Sequence, residues 1–165
     1  MKWKEAILSS ALLLLLLGNN LAANISVHPY QTVFFNRLAG GLHGAQKKQI
    51  GTCWDYWLNS YGAAGKWLDQ KAAPKATVAM LYPSRTLPGF NTDLLRYSLT
   101  RKDLRVFRTD WVPSDLSRVH NTYFLFVPIK NPARIKALFE NGKVFQKVFE
   151  VRRQGGEILT IYYKA

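Results

Sequence analysis

The sequence predicts an α/β protein: one N-terminal transmembrane helix followed by a small α/β sandwich with a mixed sheet and a C-terminal β-hairpin. Three observations carry this reading. Residues 6–27 contain no charge and centre on an unbroken leucine run at 12–17. From Ala76 onward, short β-forming runs alternate with stretches of helical periodicity, as in a sheet covered by helices. Near the C-terminus, two β runs at 144–151 and 157–163 flank Gln154-Gly155-Gly156, a tight-turn composition. With 165 residues, 48% hydrophobic and 13% aromatic, most of the chain can bury a core, which excludes intrinsic disorder for most of it.

The elements follow in order. Lys2, Lys4 and Glu5 precede the apolar stretch, whose second half is interrupted by Asn19, Asn20 and Asn24. Two readings of this stretch stand: a signal peptide cleaved after Ala22 and Ala23, or an uncleaved membrane helix. Both translocate the rest of the chain, because the basic N-terminal end stays cytoplasmic. Three segments result: a membrane helix with a short cytoplasmic N-terminus at 1–27, an interfacial segment with a glycine-rich turn and a helix at 28–75, and the α/β domain at 76–165. In the second segment, dense aromatics around Tyr30, Phe34 and Phe35 suit a membrane–water interface. Gly40 to Gly44 is expected to be a turn and not a dinucleotide-binding loop, since no strand leads into it.

A helix is expected from about Ser60 to Gln70, with Tyr61, Ala64, Trp67 and Leu68 on one face and Ser60 as its N-cap. The third segment should hold a buried strand at 77–81 and a short helix capped by Asn91 or Thr92 and running through Arg96. Further strands are expected at 104–109 and 122–129. A helix should begin at Pro132, pass through Phe139 and stop at Asn141-Gly142. In the final hairpin, residues 144–152 place apolar side chains on both faces, which fits a mixed antiparallel edge.

Charge and chemistry narrow the function. There are 23 Lys+Arg against 10 Asp+Glu, a formal net charge of +13, so an anionic partner is expected. Residues 1–23 hold only +1 of it, from Lys2, Lys4 and Glu5, and the remainder lies in the translocated part. The basic residues are spread along the chain without a helix-turn-helix, zinc-finger or RNP pattern, so nucleic acid is not the expected partner. Anionic lipid head groups satisfy the same electrostatics where the apolar segment puts the domain. The single Cys53 excludes an intramolecular disulfide, and no Cys/His set has zinc spacing, so neither a metal nor a cofactor is expected. His28, His43 and His120 lie in separate segments without triad or metal motifs. Asp55, between Trp54 and Tyr56, is either a perturbed carboxylate or a loop-fixing acceptor.

A resemblance gives these residues a context. His28-Pro29-Tyr30-Gln31-Thr32-Val33-Phe34-Phe35-Asn36 is followed by Leu38-Ala39-Gly40-Gly41, Gly44-Ala45, Asp55-Tyr56-Trp57, Ser60-Tyr61 and Ala64 with Trp67-Leu68. This run, in this order, resembles the region after the last membrane helix of polytopic glycosyltransferases. Those are the dolichyl-phosphate-mannose protein mannosyltransferases and the bacterial lipid-A aminoarabinose transferases. The terminal hairpin, with Val148-Phe149-Glu150-Val151 and Ile161-Tyr162-Tyr163-Lys164, is similar as well. The resemblance implies transfer of a sugar from a polyprenyl-phosphate donor on the extracytoplasmic side, with the catalytic acid in a first loop that this chain does not contain. It implies an anchored helix over a cleaved signal, and a noncatalytic fragment or subunit partnered by the missing N-terminal membrane part. An anionic lipid or the polyprenyl-phosphate sugar would then be met by His28, Tyr30, Lys47, Lys48, Asp55, Tyr56 and Trp57, with no catalytic residue among them. A secreted or singly anchored basic binding module on an anionic membrane surface is the other function class.

Overall fold

The structure, a computed structural model, describes residues 2–50, 53, 55, 58–81, 90–109, 119–128, 132–140 and 144–165. Helix α1 (Lys2–Val27) has 26 residues, and at about 1.5 Å per residue it is about 39 Å long, enough for a hydrocarbon core of roughly 30 Å. Its leucines face outward all round, with Leu14 and Leu15 exposed at 69% and 71%. An 18-residue apolar window within Trp3–Val27 has no buried residue, so this helix is long and apolar enough to cross a membrane. The asparagines suit that setting, because Asn20 Nδ2 donates to Leu16 O at 3.0 Å and Asn24 Nδ2 to Asn20 O at 2.9 Å. Each amide thereby spends a donor inside the helix, as a lipid surround, which offers no partner, would require.

The α/β unit contains α3 (Ser60–Lys71), α4 (Phe90–Ser98) and α5 (Pro132–Glu140), after the short α2 (Gly41–Lys47). Its sheet comprises β1 (Thr77–Leu81), β2 (Arg105–Thr109), β3 (Thr122–Phe126), β4 (Gln146–Arg153) and β5 (Gly156–Lys164). The strand order is β2-β1-β3-β5-β4. Strand β1 pairs in parallel with both β2 and β3, while β5 runs antiparallel to β3 and β4, so the sheet is mixed and β4 is an antiparallel edge, as expected.

Alternation sorts the side chains into two cores. Val78, Met80, Tyr123, Leu125, Leu159 and Ile161 join Leu68 of α3 and Leu95 of α4 on one face. Ala79, Leu81, Phe124, Phe126 and Tyr162 meet Phe139 of α5 on the other. Helix α5 is also tied to the sheet electrostatically. Lys136 Nζ lies 2.5 Å from Glu157 Oε2, and the Thr160 hydroxyl donates to the other oxygen of this buried carboxylate. Burial works against the Lys136 ammonium, but the carboxylates of Glu157, Glu140 and Glu150 outweigh it and hold its pKa above the ordinary lysine value.

Strand β1 and helices α3 and α5 fall where the sequence places them. Three details differ. The expected cap of α4 at Asn91 or Thr92 lies inside the helix, which begins at Phe90. Strand β3 ends at Phe126, short of the expected end at Ile129, with Val127 and Pro128 already outside it, while the expected Asn141-Gly142 stop of α5 lies outside the described residues. In β4, register shifts at Lys147/Phe149 and Val151/Arg152 break the strict alternation, so Val148, Phe149 and Val151 all pack against one core. A bulged strand opposes two residues to one and re-aims side chains, which strict period-two counting cannot represent.

Two aspartates clamp the entry into the parallel pair. Asp69 accepts from Thr100 N at 2.9 Å, Thr100 Oγ1 at 2.9 Å and Arg101 N at 3.1 Å. Asp103 accepts from Lys75 N at 2.8 Å and from the Arg101 guanidinium at 2.6 Å, and Arg101 in turn donates to Ala72 O at 2.6 Å. Desolvation pushes the Asp69 carboxyl up, yet the Thr100 and Arg101 donors prevail and its pKa lies below the ordinary value. The Arg101 hydrogen bond, with that from Lys75, depresses Asp103 strongly. Carboxyls depressed by folding stabilise the fold fully above their unfolded pKa of about 4, and that contribution is lost as pH falls through the folded values. The thermal midpoint is therefore expected to fall on acidification below about pH 4, and the Asp69→Asn/Asp103→Asn variant to show a flatter acid limb. Superimposable acid limbs for the two proteins would contradict this role.

Candidate functional site

The chain leaves α1 in a tight path. Val27 is buried, His28 N donates to Ile25 O at 3.1 Å, and Tyr30 N donates to Val27 O at 2.6 Å. The His28–Pro29 peptide is cis. Two 3-10 turns come next, Gln31–Val33 and Arg37–Ala39, the second capped by Asn36 Oδ1 accepting from Ala39 N at 3.0 Å. The expected glycine-rich turn is made by Gly40 and Gly41, whose φ are 83° and 65°, and the chain goes straight on into α2, so Gly44 already lies in a helix. Leu42 and Ala45 face inward from α2, while His43, Lys47 and Lys48 are exposed.

The tip of the C-terminal hairpin holds this segment in place. Gln154 and Gly155 have φ of 47° and 72°, the two left-handed central residues of a type I′ turn, for which glycine is the least strained choice. The Gln154 side-chain oxygen accepts from Leu42 N at 3.1 Å and from Phe35 N at 3.4 Å. It thereby satisfies a donor in the first turn of α2 that no intrahelical carbonyl can reach. A Cβ on Gly156 would stand 2.5 Å from Leu42 Cγ, so this contact requires glycine. Gln46 then pairs with the backbone at the start of β5: Nε2 donates to Glu157 O at 2.6 Å and Oε1 accepts from Glu157 N at 3.2 Å. Its amide serves the strand as a neighbouring peptide would.

Tyr30 is packed under Arg153, whose guanidinium carbon lies 5.0 Å from the ring centroid. This is a cation–π arrangement. Burial raises the Tyr30 phenol pKa, Arg153 lowers it, and Asp55 raises it, so the three share one electrostatic environment. Asp55 is fully buried, and Oδ2 accepts from Ser60 N at 2.7 Å. Ser60 is thus the first residue of α3 and not its N-cap; that position is Asn59, whose side chain makes no capping bond. A carboxylate five residues upstream takes over the capping work. Asp55 Oδ1 and Ser60 Oγ have no hydrogen-bond partner among the described residues.

Replacing Asp55 by Ala leaves the Ser60 N–H buried without its acceptor. The expected cost is about 1–3 kcal/mol in chemical denaturation. Asp55→Asn keeps an acceptor oxygen and should recover most of it. Equal loss in both variants would mean that the negative charge, and not the hydrogen bond, matters.

The sequence-derived residues are therefore only partly brought together. Tyr30 and Asp55 share the buried junction. His28 is exposed, with Nδ1 2.7 Å from Gln31 Nε2. Lys47 and Lys48 project to solvent at the end of α2, with no carboxylate partner among the described residues. Tyr56 and Trp57 lie outside the described residues. Burial raises the Cys53 thiol pKa, which disfavours the nucleophilic thiolate. No group of three or more His, Cys, Asp or Glu able to hold a metal occurs among the described residues. Gln46, Gln154 and Arg153 do not stand out in the sequence as site residues. The one local signal is Gln154 in the tight turn, and its partners lie more than a hundred residues away. Chemically, the junction offers exposed cations on a rigid mount and a carboxylate withdrawn from solvent. No protein-family model, curated protein or solved structure matches the chain.

Proposed function

We propose that this chain is the membrane-anchored, extracytoplasmic part of a glycosyltransferase that takes its sugar from a polyprenyl-phosphate donor. In this reading Lys2 and Lys4 remain cytoplasmic and the α/β domain lies outside. The domain supplies contacts to the donor phosphate, and the catalytic acid comes from a partner membrane region. One observation carries the reading: the exposed apolar helix α1 passes directly into a basic segment that Gln154 and Gln46 fasten to the sheet. Cations on such a rigid mount sit at a set distance from the bilayer, where a lipid-linked phosphate lies. The family resemblance of residues 28–68 supports the same assignment.

The test uses the expressed full chain in membranes. A photoreactive polyprenyl-phosphate is expected to label it, unlabelled polyprenyl-phosphate to compete, and Lys47→Ala/Lys48→Ala to reduce labelling. Sugar transfer from a polyprenyl-phosphate sugar is expected to be absent without the partner region. Turnover by the chain alone would overturn the noncatalytic assignment, and release of a soluble species beginning near Asn24 would overturn the anchor. The second reading, a singly anchored basic binding module, is favoured by the complete burial of Asp55, which keeps the junction's carboxylate from any substrate. Labelling that anionic phospholipid removes and polyprenyl-phosphate does not would decide for it.

A further inference from the structure

We infer that the segment Arg37 to Ile50 is a second membrane contact, a foot on which the domain stands on the anionic lipid surface that α1 enters. The inference rests on the anchored reading and adds to it the height and orientation of the domain. Leu38 is 91% exposed on the 3-10 turn Arg37–Ala39, the highest exposure of any large apolar side chain among the described residues, and Ile50 is exposed beyond the end of α2. Both side chains lie open to water, and a leucine at the tip of a turn that closely follows the apolar helix in sequence suits the head-group and acyl boundary.

The charge pattern selects the occupant. From residue 6 to residue 54 there is no Asp or Glu, and the cations in that stretch are Arg37, Lys47 and Lys48. All three are exposed and none forms an ion pair with a described carboxylate. A solvated protein face normally intersperses both signs; forty-nine residues of one sign that begin inside the membrane helix complement anionic phosphates. The foot is also continuous with the span. Only residues 28–36 separate α1 from the 3-10 turn, and Val33 within them is buried against the core. Gln154 and Gln46 make the foot rigid. Leu38 would therefore enter the interface without a large loss of loop entropy.

The test places one fluorophore at a time on the full chain in a Cys53→Ala background, reconstituted in nanodiscs. Leu38→Cys and Tyr97→Cys carry an environment-sensitive dye, Tyr97 being 89% exposed on α4 and serving as the water reference. In phosphatidylcholine discs containing phosphatidylglycerol, the dye at 38 is expected to shift to the blue and the dye at 97 not to shift. Each cation near an anionic surface contributes about fivefold to the docked population. Reversing Arg37, Lys47 and Lys48 to Glu should thus abolish the shift, and high salt should weaken it in the unmodified background. A dye at 38 as polar as that at 97, in protein that co-elutes with the discs, overturns the foot and leaves the anchor standing. Protein that fails to co-elute overturns the anchor itself. A blue shift of equal size in detergent without lipid, unmoved by salt, would assign the patch to a protein partner and overturn the inference.

Discussion

Arginine at both Leu13 and Leu16 is expected to release this protein from the membrane. The wild-type chain should stay in the pellet through alkaline carbonate extraction, and the double variant should appear in the supernatant or be degraded. Both leucines lie near the middle of α1 and are more than half exposed, so no part of the protein shields a charge placed there. Each Leu→Arg change near a helix centre costs about 3–4 kcal/mol of insertion free energy, so two cost roughly 7. Snorkelling cannot recover this, because the centre is too far from either interface for the arginine stem. The opposite outcome, a wild-type chain that extracts at alkaline pH, would remove the foundation for the anchored reading and the lipid foot together. Substitution in the α/β domain should leave the fractionation unchanged.

The second large effect is in the core facing α5. Phe124→Ala is expected to destabilise the domain by about 3–5 kcal/mol. Phe124 is 1% exposed on β3, a strand with neighbours on both sides. Its ring lies 5.6 Å from that of Phe139 and 5.5 Å, edge-on, from that of Phe145, while Phe139 stacks on Tyr162 at 4.6 Å. Removing one member of this aromatic cluster opens a cavity that stiff rings and a hydrogen-bonded strand cannot close. Phe107, on the edge strand β2 and 45% exposed, provides the comparison. Its truncation removes little buried surface and is expected to cost under about 1 kcal/mol. Denaturant midpoints for the three proteins in mild detergent measure both. Equal costs for Phe124→Ala and Phe107→Ala would mean that the α5 face is not a packed core.

How much of the fold is legible in the sequence depends on whether a signal is local. The run at 77–81 matches β1 residue for residue, because a short, mostly apolar run opening on the β-branched Thr77 and Val78 and closed off by Pro83 states its own conformation and burial. The periodicity of Tyr61, Ala64 and Leu68 likewise describes a helix face, and all three are buried. The start of α3 escapes such reading because capping preferences describe a residue and its next few neighbours. Here the Ser60 N–H is taken by Asp55 from outside that window. The glycines at 40–44 have the composition of a turn. The structure keeps the left-handed turn at Gly40 and Gly41 and runs on into α2, since Gln154 supplies an acceptor to the first turn of α2 and Leu42 finds a buried place.

The candidate site divides in the same way. Tyr30 and Asp55 stand out locally as polar groups among aromatics. Their shared environment with Arg153, and the amide pairing of Gln46 with Glu157 and of Gln154 with Leu42, join residues of the first third of the chain to the C-terminal hairpin. Composition and periodicity were enough for a charge-free span, an excess of positive charge beyond it, and an α/β alternation ending in a hairpin, because these properties act over a few residues and survive in any fold. Only the folded chain shows the hairpin tip fastening the basic segment that follows the apolar helix α1. Hydrogen-bond satisfaction across distant segments depends on how the sheet closes, and no local pattern encodes it.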